Sequence, residues 1–275
     1  DLAYEIMSPF VGSALTSYEL KSLINKSYIN FSDPNVVKLV QISQKEYLLE
    51  LFHGPTLAFK DCAMQFLGSI FEHFLKKKKE KITIICATSG DTGAAAVESM
   101  KNKDLIDLVV LFPNGRISDV QRKQMTTTQS KNIHCLAVEG TFDDCQTIVK
   151  SLLNNKKICD SYNLSAVNSI NWGRVMAQVI YYFYAALKLG APKNKINFSV
   201  PTGNFGDIFA GYVAYKMGLP IDKLCIATNS NDALSRFLKK GDYLIEDVKA
   251  TMSPSMDIQI ASNLERLLYD CSGGN

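Results

Sequence analysis

One lysine stands out in the segment Leu51–Asp61, which has the sequence LFHGPTLAFKD. A strand-like run ends there in a Gly-Pro turn, and Lys60 follows apolar neighbours at the start of a helix-like segment. Partial desolvation and the positive end of a helix dipole both favour the neutral amine, which is the form that attacks an aldehyde. The segment predicts a Schiff-base lysine. The alternative is an ordinary surface lysine whose stem lies along apolar neighbours.

A second segment, Cys86–Ala96, places hydroxyls and glycines between a strand-like run and an alanine-rich helix. Such a junction presents backbone N–H groups at a helix N-terminus, which suits a phosphate or a carboxylate. The alternative is plain capping of the helix by Ser, Thr or Asp. The segment lacks the lysine of a Walker P-loop and the spacing of a dinucleotide fingerprint, so it does not support nucleotide binding.

The segment Val200–Asp207 repeats the order of strand, glycine-rich turn and helix. Its glycines allow the backbone to approach an anion closely, and Asp207 is placed to cap the following helix. Two anion cradles together with an isolated lysine indicate a ligand that has an aldehyde and more than one anionic group. Pyridoxal 5'-phosphate with an amino-acid substrate fits that description.

A fourth segment, Val167–Arg174, combines neutral donors with a cation. Asn168 and Ser169 offer neutral donors, and Arg174 supplies a planar fork that matches a phosphate. The alternative is a set of helix N-caps beside a surface arginine.

Other chemistries find no support in the pattern. The three histidines, His53, His73 and His134, are too dispersed for a metal set, and no HExxH or Cys/His spacing occurs. No GxSxG elbow is present either. The sequence predicts no metal site.

Strand-like and helix-like segments alternate from about residue 46 onward, which predicts an α/β fold with a parallel sheet covered by helices on both faces. The strand candidates are Tyr47–Phe52, Ile82–Ala87, Leu108–Phe112, Ile133–Val138, Ile196–Val200 and Leu224–Thr228. The helix candidates are Asp61–Leu75, Thr92–Met100, Ser118–Thr128, Phe142–Leu153, Trp172–Leu189, Asp207–Met217 and Ala233–Lys239. Ligands of such sheets bind where strands pass into helices, which is where the four segments lie.

Composition limits the partners and the compartment. A net charge of +3 over 275 residues does not indicate a nucleic-acid partner. Seven cysteines without a CxxC pair indicate a reducing compartment, and the cytoplasm is expected. The most apolar stretch, Val175–Leu187, is too short to span a bilayer, so no membrane association is expected. The chain starts at Asp1 rather than at Met, which predicts a fragment.

Six segments resemble threonine synthase, in the same order and at similar separations. They are HGPTLAFKD (His53–Asp61), ATSGDTGAAA (Ala87–Ala96), FPNGRIS (Phe112–Ser118), NSINWGR (Asn168–Arg174), PTGNFGD (Pro201–Asp207) and SPSMD (Ser253–Asp257). The resemblance covers about residues 46–270 and is closest to the longer, bacterial and fungal branch of the family. The usual N-terminal opening of that branch and its further C-terminal segment are not recognisable here.

The resemblance implies a fold-type-II pyridoxal-phosphate enzyme of two domains. The larger would comprise residues 1–80 and 165–275, and the smaller, inserted α/β domain residues 81–164. Lys60 would be the catalytic Schiff-base lysine. The implied cofactor-binding residues are Lys60, Ser89, Asp91, Gly203, Asn204, Phe205, Gly206 and Asp207. The implied substrate-binding residues are Thr88, Ser89, Thr92, Asn168, Ser169 and Arg174.

The resemblance also implies the reaction, in which a carbon-oxygen lyase converts O-phospho-L-homoserine and water to L-threonine and phosphate. Two alternatives stay open at this point. A related phospho-amino-acid lyase or serine/threonine dehydratase would share Lys60 but end in elimination, and a truncated, non-catalytic module would bind the cofactor only. The expected partner is a small phosphorylated amino acid, and the expected assembly is a monomer or a homodimer.

Overall fold

Helices and strands alternate along most of the chain in the computed structural model, which describes residues 1–274. In chain order the elements are α1 (Leu2–Val11), α2 (Ser17–Tyr28), β1 (Lys38–Gln41), β2 (Tyr47–Glu50), α3 (Asp61–Lys78), β3 (Ile82–Ala87), α4 (Asp91–Met100), β4 (Ile106–Pro113), α5 (Asp119–Thr126), β5 (Ile133–Val138), α6 (Phe142–Asn154), α7 (Lys156–Tyr162), β6 (Leu164–Ala166), α8 (Trp172–Lys188), β7 (Ile196–Pro201), α9 (Gly206–Lys216), β8 (Ile221–Ala227), α10 (Ala233–Lys240) and α11 (Leu264–Cys271). The predicted α/β class is confirmed.

The chain divides into two units, of which one is Ser13–Asn168. Its centre is a four-stranded parallel sheet with the strand order β5-β4-β3-β6. Successive residues of a strand face opposite sides of a sheet. Ile84 accordingly joins a buried cluster that includes Ala95 of α4, whereas its neighbour Ile85 joins a second cluster with Cys145 of α6. Helices therefore cover both faces of this sheet, as the apolar runs predict.

The strand predicted at Tyr47–Phe52 belongs to a hairpin in the same unit. It ends at Glu50 and pairs antiparallel with β1, so the parallel pairing expected there is wrong. The reason is local, because the turn is closed by hydrogen bonds from the backbone N–H groups of Ile42 and Ser43 to the Glu46 carbonyl. Two strands joined by so short a turn can pair only in the antiparallel sense.

The other unit comprises Asp1–Gly12 and Ser169–Asn275. Its β7 and β8 pair in parallel, with α9 as the crossover between them. Helix α8 packs closely on α9, since a Cβ added to Gly211 would lie 2.8 Å from the Tyr182 ring. The carboxyl end of β7 leads directly into the glycine-rich turn before α9.

The domain boundaries predicted from the sequence differ from this division. The sequence predicts that residues 13–80 belong to one domain with the C-terminal part of the chain. In the structure they pack within the unit that holds the four-stranded sheet. Helix α2 contacts α3 there through a 2.9 Å hydrogen bond between the Ser27 and Ser69 hydroxyls. The predicted larger and smaller domains stay a prediction. Within residues 1–274, no helix has the length and apolar character needed to cross a membrane.

Candidate active site

Lys60 lies immediately before α3, and its residue surface is 9% exposed. Its Nζ donates to Asp91 Oδ2 at 3.0 Å and lies 4.5 Å from the centre of the Phe59 ring. Asp91 is the first residue of α4, so the structure brings together two residues that the sequence predicted separately. A carboxylate at this distance favours the charged form of the amine. It therefore acts against the desolvation predicted from the sequence, which favours the neutral form. Schiff-base formation therefore requires that the amine leave this ion pair.

The turn before Lys60 is closed by Asp61, which is fully buried. The Thr56 backbone N–H donates to Asp61 Oδ2 at 2.7 Å, and the Thr56 hydroxyl donates to Oδ1 at 2.8 Å. A Cβ added to Gly54 would lie 2.4 Å from the Asp61 Cβ, so a side chain at position 54 would displace Asp61. These contacts fix the path of the chain into Lys60. Sequence reasoning did not assign Asp61 any role.

Thr88 lies two residues before Gly90, the N-cap of α4, and its side chain accepts hydrogen bonds from the helix start much as the capping alternative describes. Its buried hydroxyl accepts the backbone N–H groups of Gly90 at 2.9 Å and Gly93 at 2.8 Å. Gly90 has a φ of 140°, which only glycine adopts readily. A hydroxyl that accepts two hydrogen bonds keeps only its hydrogen for a further partner. Thr88 can therefore still donate to a ligand, while Ser89 and Thr92 are partly exposed beside it.

Helix α5 supports both loops through two glutamines that sequence reasoning missed. Gln121 donates from Nε2 to Asp91 Oδ1, and Gln124 donates from Nε2 to the Thr56 carbonyl at 3.0 Å. The only available signal was local, because Ser118 and Gln121 have the spacing of a capping box. The Ser118 hydroxyl does accept the Gln121 N–H, at 3.3 Å, but that pattern says nothing about Asp91 or Thr56.

The predicted phosphate loop lies in the other unit, between β7 and α9. Phe205 precedes the helix in a left-handed conformation, with a φ of 64°, and no side chain caps the helix start. A Cβ added to Gly203 would lie 2.9 Å from Ile258 Cδ1, so a larger residue would require the Ile258 side chain to shift. A glycine-rich turn before an uncapped helix N-terminus suits a phosphate group.

Asp207 does not cap α9, which corrects the capping expectation. Its Oδ1 accepts the hydroxyls of Tyr181 at 2.6 Å and Tyr182 at 2.9 Å, so the carboxylate faces α8. Burial and the neighbouring Asp207 carboxylate hold the pKa of Tyr182 well above its usual value. The role of Asp207 in cofactor binding stays a prediction.

The segment Asn168–Arg174 crosses the division between the units, with Asn168 in one and Ser169 in the other. Asn171 caps α8 by accepting the Gly173 N–H at 2.9 Å. Arg174 lies in the first turn of α8 and is only 5% exposed, so it is not the surface arginine of the alternative interpretation. Asn168 is exposed and Ser169 partly buried.

Comparison with known proteins identifies the class of this fold and site. The family model of pyridoxal-phosphate dependent enzymes matches residues 35–274. The chain therefore belongs to the pyridoxal-phosphate dependent enzyme family. This membership confirms the predicted cofactor and the prediction of a cofactor-dependent enzyme.

The more particular likeness is to threonine synthases. The chain is 50% identical to threonine synthase of Pseudomonas aeruginosa over 100% of its own length and 59% of the relative's. It is 50% identical to the Saccharomyces cerevisiae enzyme over 98% of its length and 55% of that protein. A crystal structure of pyridoxal-phosphate-bound threonine synthase from Brucella melitensis matches all of the chain and 59% of that protein, with a TM-score of 0.95 and 52% identity.

These matches confirm the resemblance and the fold-type-II architecture. The chain spans less than two thirds of the length of these relatives. Each unit has a group that suits part of the cofactor: Lys60 offers a buried amine in one unit, and the start of α9 has no side-chain cap in the other.

Asp61 gives the first test, because burial raises its pKa from 3.8 to about 6 despite the hydrogen bonds from Thr56. A carboxyl group whose pKa is higher in the folded protein than in the unfolded chain stabilises the fold at pH values below the pKa of the unfolded state. This contribution is lost as the pH rises through the pKa of the folded state. Relative to Asp61→Asn, the wild type should lose about 2 kcal/mol of unfolding free energy between pH 4 and pH 7. Urea unfolding of both proteins across this range measures the difference.

The matched control is Asp119→Asn, since Asp119 also begins a helix but its side chain is 83% exposed. Comparison of the two variants over the same pH range separates the effect of a buried carboxylate at a helix start from that of an exposed one. A difference between wild type and Asp61→Asn that stays constant from pH 4 to pH 7 would show that Asp61 is charged at no cost in the folded protein.

Proposed function

We propose that the protein converts O-phospho-L-homoserine and water to L-threonine and phosphate, as a pyridoxal-phosphate dependent carbon-oxygen lyase. The observation that carries the proposal is the buried Lys60 amine, held 3.0 Å from Asp91 where α3 and α4 begin. A buried amine that pairs with a carboxylate is suited to reversible exchange between an ion pair and a covalent bond. The 50% identity to threonine synthases over the whole chain supports the particular substrate.

Cofactor binding follows from the two kinds of donor. Lys60 Nζ would form the Schiff base, and the backbone N–H groups of Gly203, Asn204, Phe205 and Gly206 would bind the cofactor phosphate. Ser89, Asp91 and Asp207 are the further proposed cofactor residues. The glycine-rich turn at 203–206 supports this role because the helix that follows it has no side-chain cap at its start.

The chemistry that pyridoxal phosphate supplies when bound is an aldehyde for the substrate amine and a ring that accepts electrons from Cα. The chain supplies the proton transfers. As a neutral amine, Lys60 Nζ would take the proton from the substrate Cα. Asp91 Oδ2 and Gln121 support this step, since the carboxylate keeps Nζ in place and the amide keeps the carboxylate in place.

Substrate binding is proposed for a second group of residues. Thr88, Ser89 and Thr92 would bind the substrate carboxylate, and Asn168, Ser169 and Arg174 the substrate phosphate. Arg174 is suited to the phosphate because its guanidinium presents parallel N–H donors that remain charged at any physiological pH. The cytoplasm remains the predicted compartment, and a monomer or a homodimer the predicted assembly, with no nucleic-acid or membrane partner.

The reaction is tested by its products. Purified protein loaded with pyridoxal phosphate is mixed with O-phosphohomoserine, and phosphate, threonine and 2-oxobutyrate are measured together. We expect one threonine for each phosphate. Phosphate released with 2-oxobutyrate would show a phospho-amino-acid lyase, and turnover of plain serine or threonine a dehydratase. Bound cofactor without any turnover would show a non-catalytic binding module.

The Arg174 assignment is tested by Arg174→Ala and Arg174→Lys. Loss of two charge-assisted hydrogen bonds to a phosphate should lower kcat/KM for O-phosphohomoserine by about 100-fold or more in Arg174→Ala. Arg174→Lys should lie between this variant and the wild type, because it keeps the charge but loses the fork. The Kd of pyridoxal phosphate, measured by the absorbance of the Schiff base, should change little. An equal loss of kcat/KM and of affinity for pyridoxal phosphate would mean that Arg174 supports the fold.

A further inference from the structure

Asn263, directly before α11, contacts two of the predicted loops within one unit. Its residue surface is 0% exposed. Its backbone N–H and its Nδ2 each donate to the Asn204 carbonyl at 3.1 Å, and Nδ2 also donates to the Ser169 carbonyl at 3.0 Å. Asn263 lies 59 residues from Asn204 and 94 from Ser169 in the sequence. One buried amide therefore joins the loop before α9 to the loop before α8.

The orientation of this amide follows from its partners. Both are carbonyl oxygens, which accept hydrogen bonds but cannot donate them, so Nδ2 rather than Oδ1 must face them. Gly206 lies against the same group, since a Cβ added there would be 3.3 Å from Asn263 Nδ2 and 3.8 Å from the Ser169 oxygen. A side chain at position 206 would push the Asn263 amide by a few tenths of an ångström.

Fixing the Asn204 carbonyl also fixes the next backbone donor. In a trans peptide the C=O of one residue and the N–H of the following residue point in opposite directions. The Asn204 carbonyl points to Asn263, and the Phe205 N–H must therefore point away from it. Phe205 is held in a left-handed conformation that is unfavourable for a side chain of this size, and such conformations persist only where surrounding contacts enforce them. Asn263 supplies two of those contacts.

We propose that Asn263 is a positioning residue that orients the Asn204–Phe205 peptide so that the N–H groups before α9 face the cofactor phosphate. This inference rests on the proposed function, because it presumes that the loop binds that phosphate. Asn263 does not touch the cofactor in this account and acts only through the backbone of residues 204–206. Through the Ser169 carbonyl, the same amide fixes the loop in which the substrate-phosphate residues lie.

The experiment compares pyridoxal phosphate with pyridoxal, which has the aldehyde but no phosphate. Both are titrated into wild type, Asn263→Ala and Asn263→Ser, and the Schiff-base absorbance gives each Kd. Asn263→Ala removes the Nδ2 contacts with the Asn204 and Ser169 carbonyls and keeps the backbone N–H contact. This loss should raise the Kd of pyridoxal phosphate about tenfold, while the Kd of pyridoxal changes less than about twofold. Asn263→Ser keeps a hydroxyl donor at the position, and its Kd for pyridoxal phosphate should lie between those of the wild type and Asn263→Ala.

The matched control is Asn231→Ala in the same unit. Asn231 is 3% exposed, and its Nδ2 likewise donates to a backbone carbonyl, that of Lys249 at 2.8 Å. Its hydrogen bonds within residues 1–274 go to Asn229, Lys249, Asp257 and Gln259 and not to the two loops. The ratio of the two Kd values should therefore stay that of the wild type even if the melting temperature falls. Circular dichroism and thermal unfolding verify that each titrated variant is folded.

The outcomes distinguish a failure of the proposed function from a failure of the inference about Asn263. A wild type that binds both compounds equally, or neither, would contradict the proposed role of the loop and so the proposed function. A wild type that prefers pyridoxal phosphate, with Asn263→Ala and Asn263→Ser keeping that preference, would overturn only the inference about Asn263. The inference would also fail if Asn231→Ala changed the ratio as much as Asn263→Ala.

Discussion

The ion pair between Lys60 and Asp91 is the interaction on which the rest of the candidate site depends. A lysine amine is costly to bury, and the carboxylate 3.0 Å away offsets that cost. Each partner lies at the start of a helix, Lys60 before α3 and Asp91 in α4. The surrounding contacts serve to hold these two helix starts in place. The Thr56–Asp61 hydrogen bonds shape the turn into Lys60, and Gln121 fixes the Asp91 carboxylate.

The other unit offers an anion mainly backbone N–H donors. Helix α9 begins after a glycine-rich turn without a side-chain cap, and Asp207, the acidic residue of its first turn, is turned toward two tyrosines of α8. This arrangement leaves the positive end of the helix dipole without a carboxylate across it. Asn263 holds the preceding loop by the Asn204 carbonyl, and so the N–H groups of the loop remain available to a ligand.

The sequence predicted the elements that carry a strong local signal. Strand Ile82–Ala87 was predicted to the residue, and the helix predicted at Trp172–Leu189 ends one residue earlier, because long apolar runs and clear turns mark both. Strand β6, with three residues, and strand β1, with four, are too short for a periodic pattern to show. β1 becomes a strand only through pairing with β2.

The same limit applies to the site. The pairing of Lys60 with Asp91 could not be anticipated from sheet topology, because β2, which precedes Lys60, pairs with β1 in a two-stranded sheet, whereas β3, which precedes Asp91, belongs to the four-stranded sheet. The supporting residues Asp61, Gln121 and Asn263 are polar residues without a distinctive local pattern. Their roles appear only when the chain folds, since Gln121 contacts Asp91 30 residues away and Asn263 contacts Ser169 94 residues away.

The central claim is that Lys60 is the lysine that binds the cofactor covalently. Borohydride reduces a Schiff base to a stable secondary amine, so treatment of the pyridoxal-phosphate-loaded protein followed by peptide mass spectrometry locates the lysine directly. The account predicts the phosphopyridoxyl group on the peptide that contains Lys60, and its loss from that peptide in Lys60→Ala. Stoichiometric label on any other lysine of the wild type, with Lys60 unmodified, would contradict it.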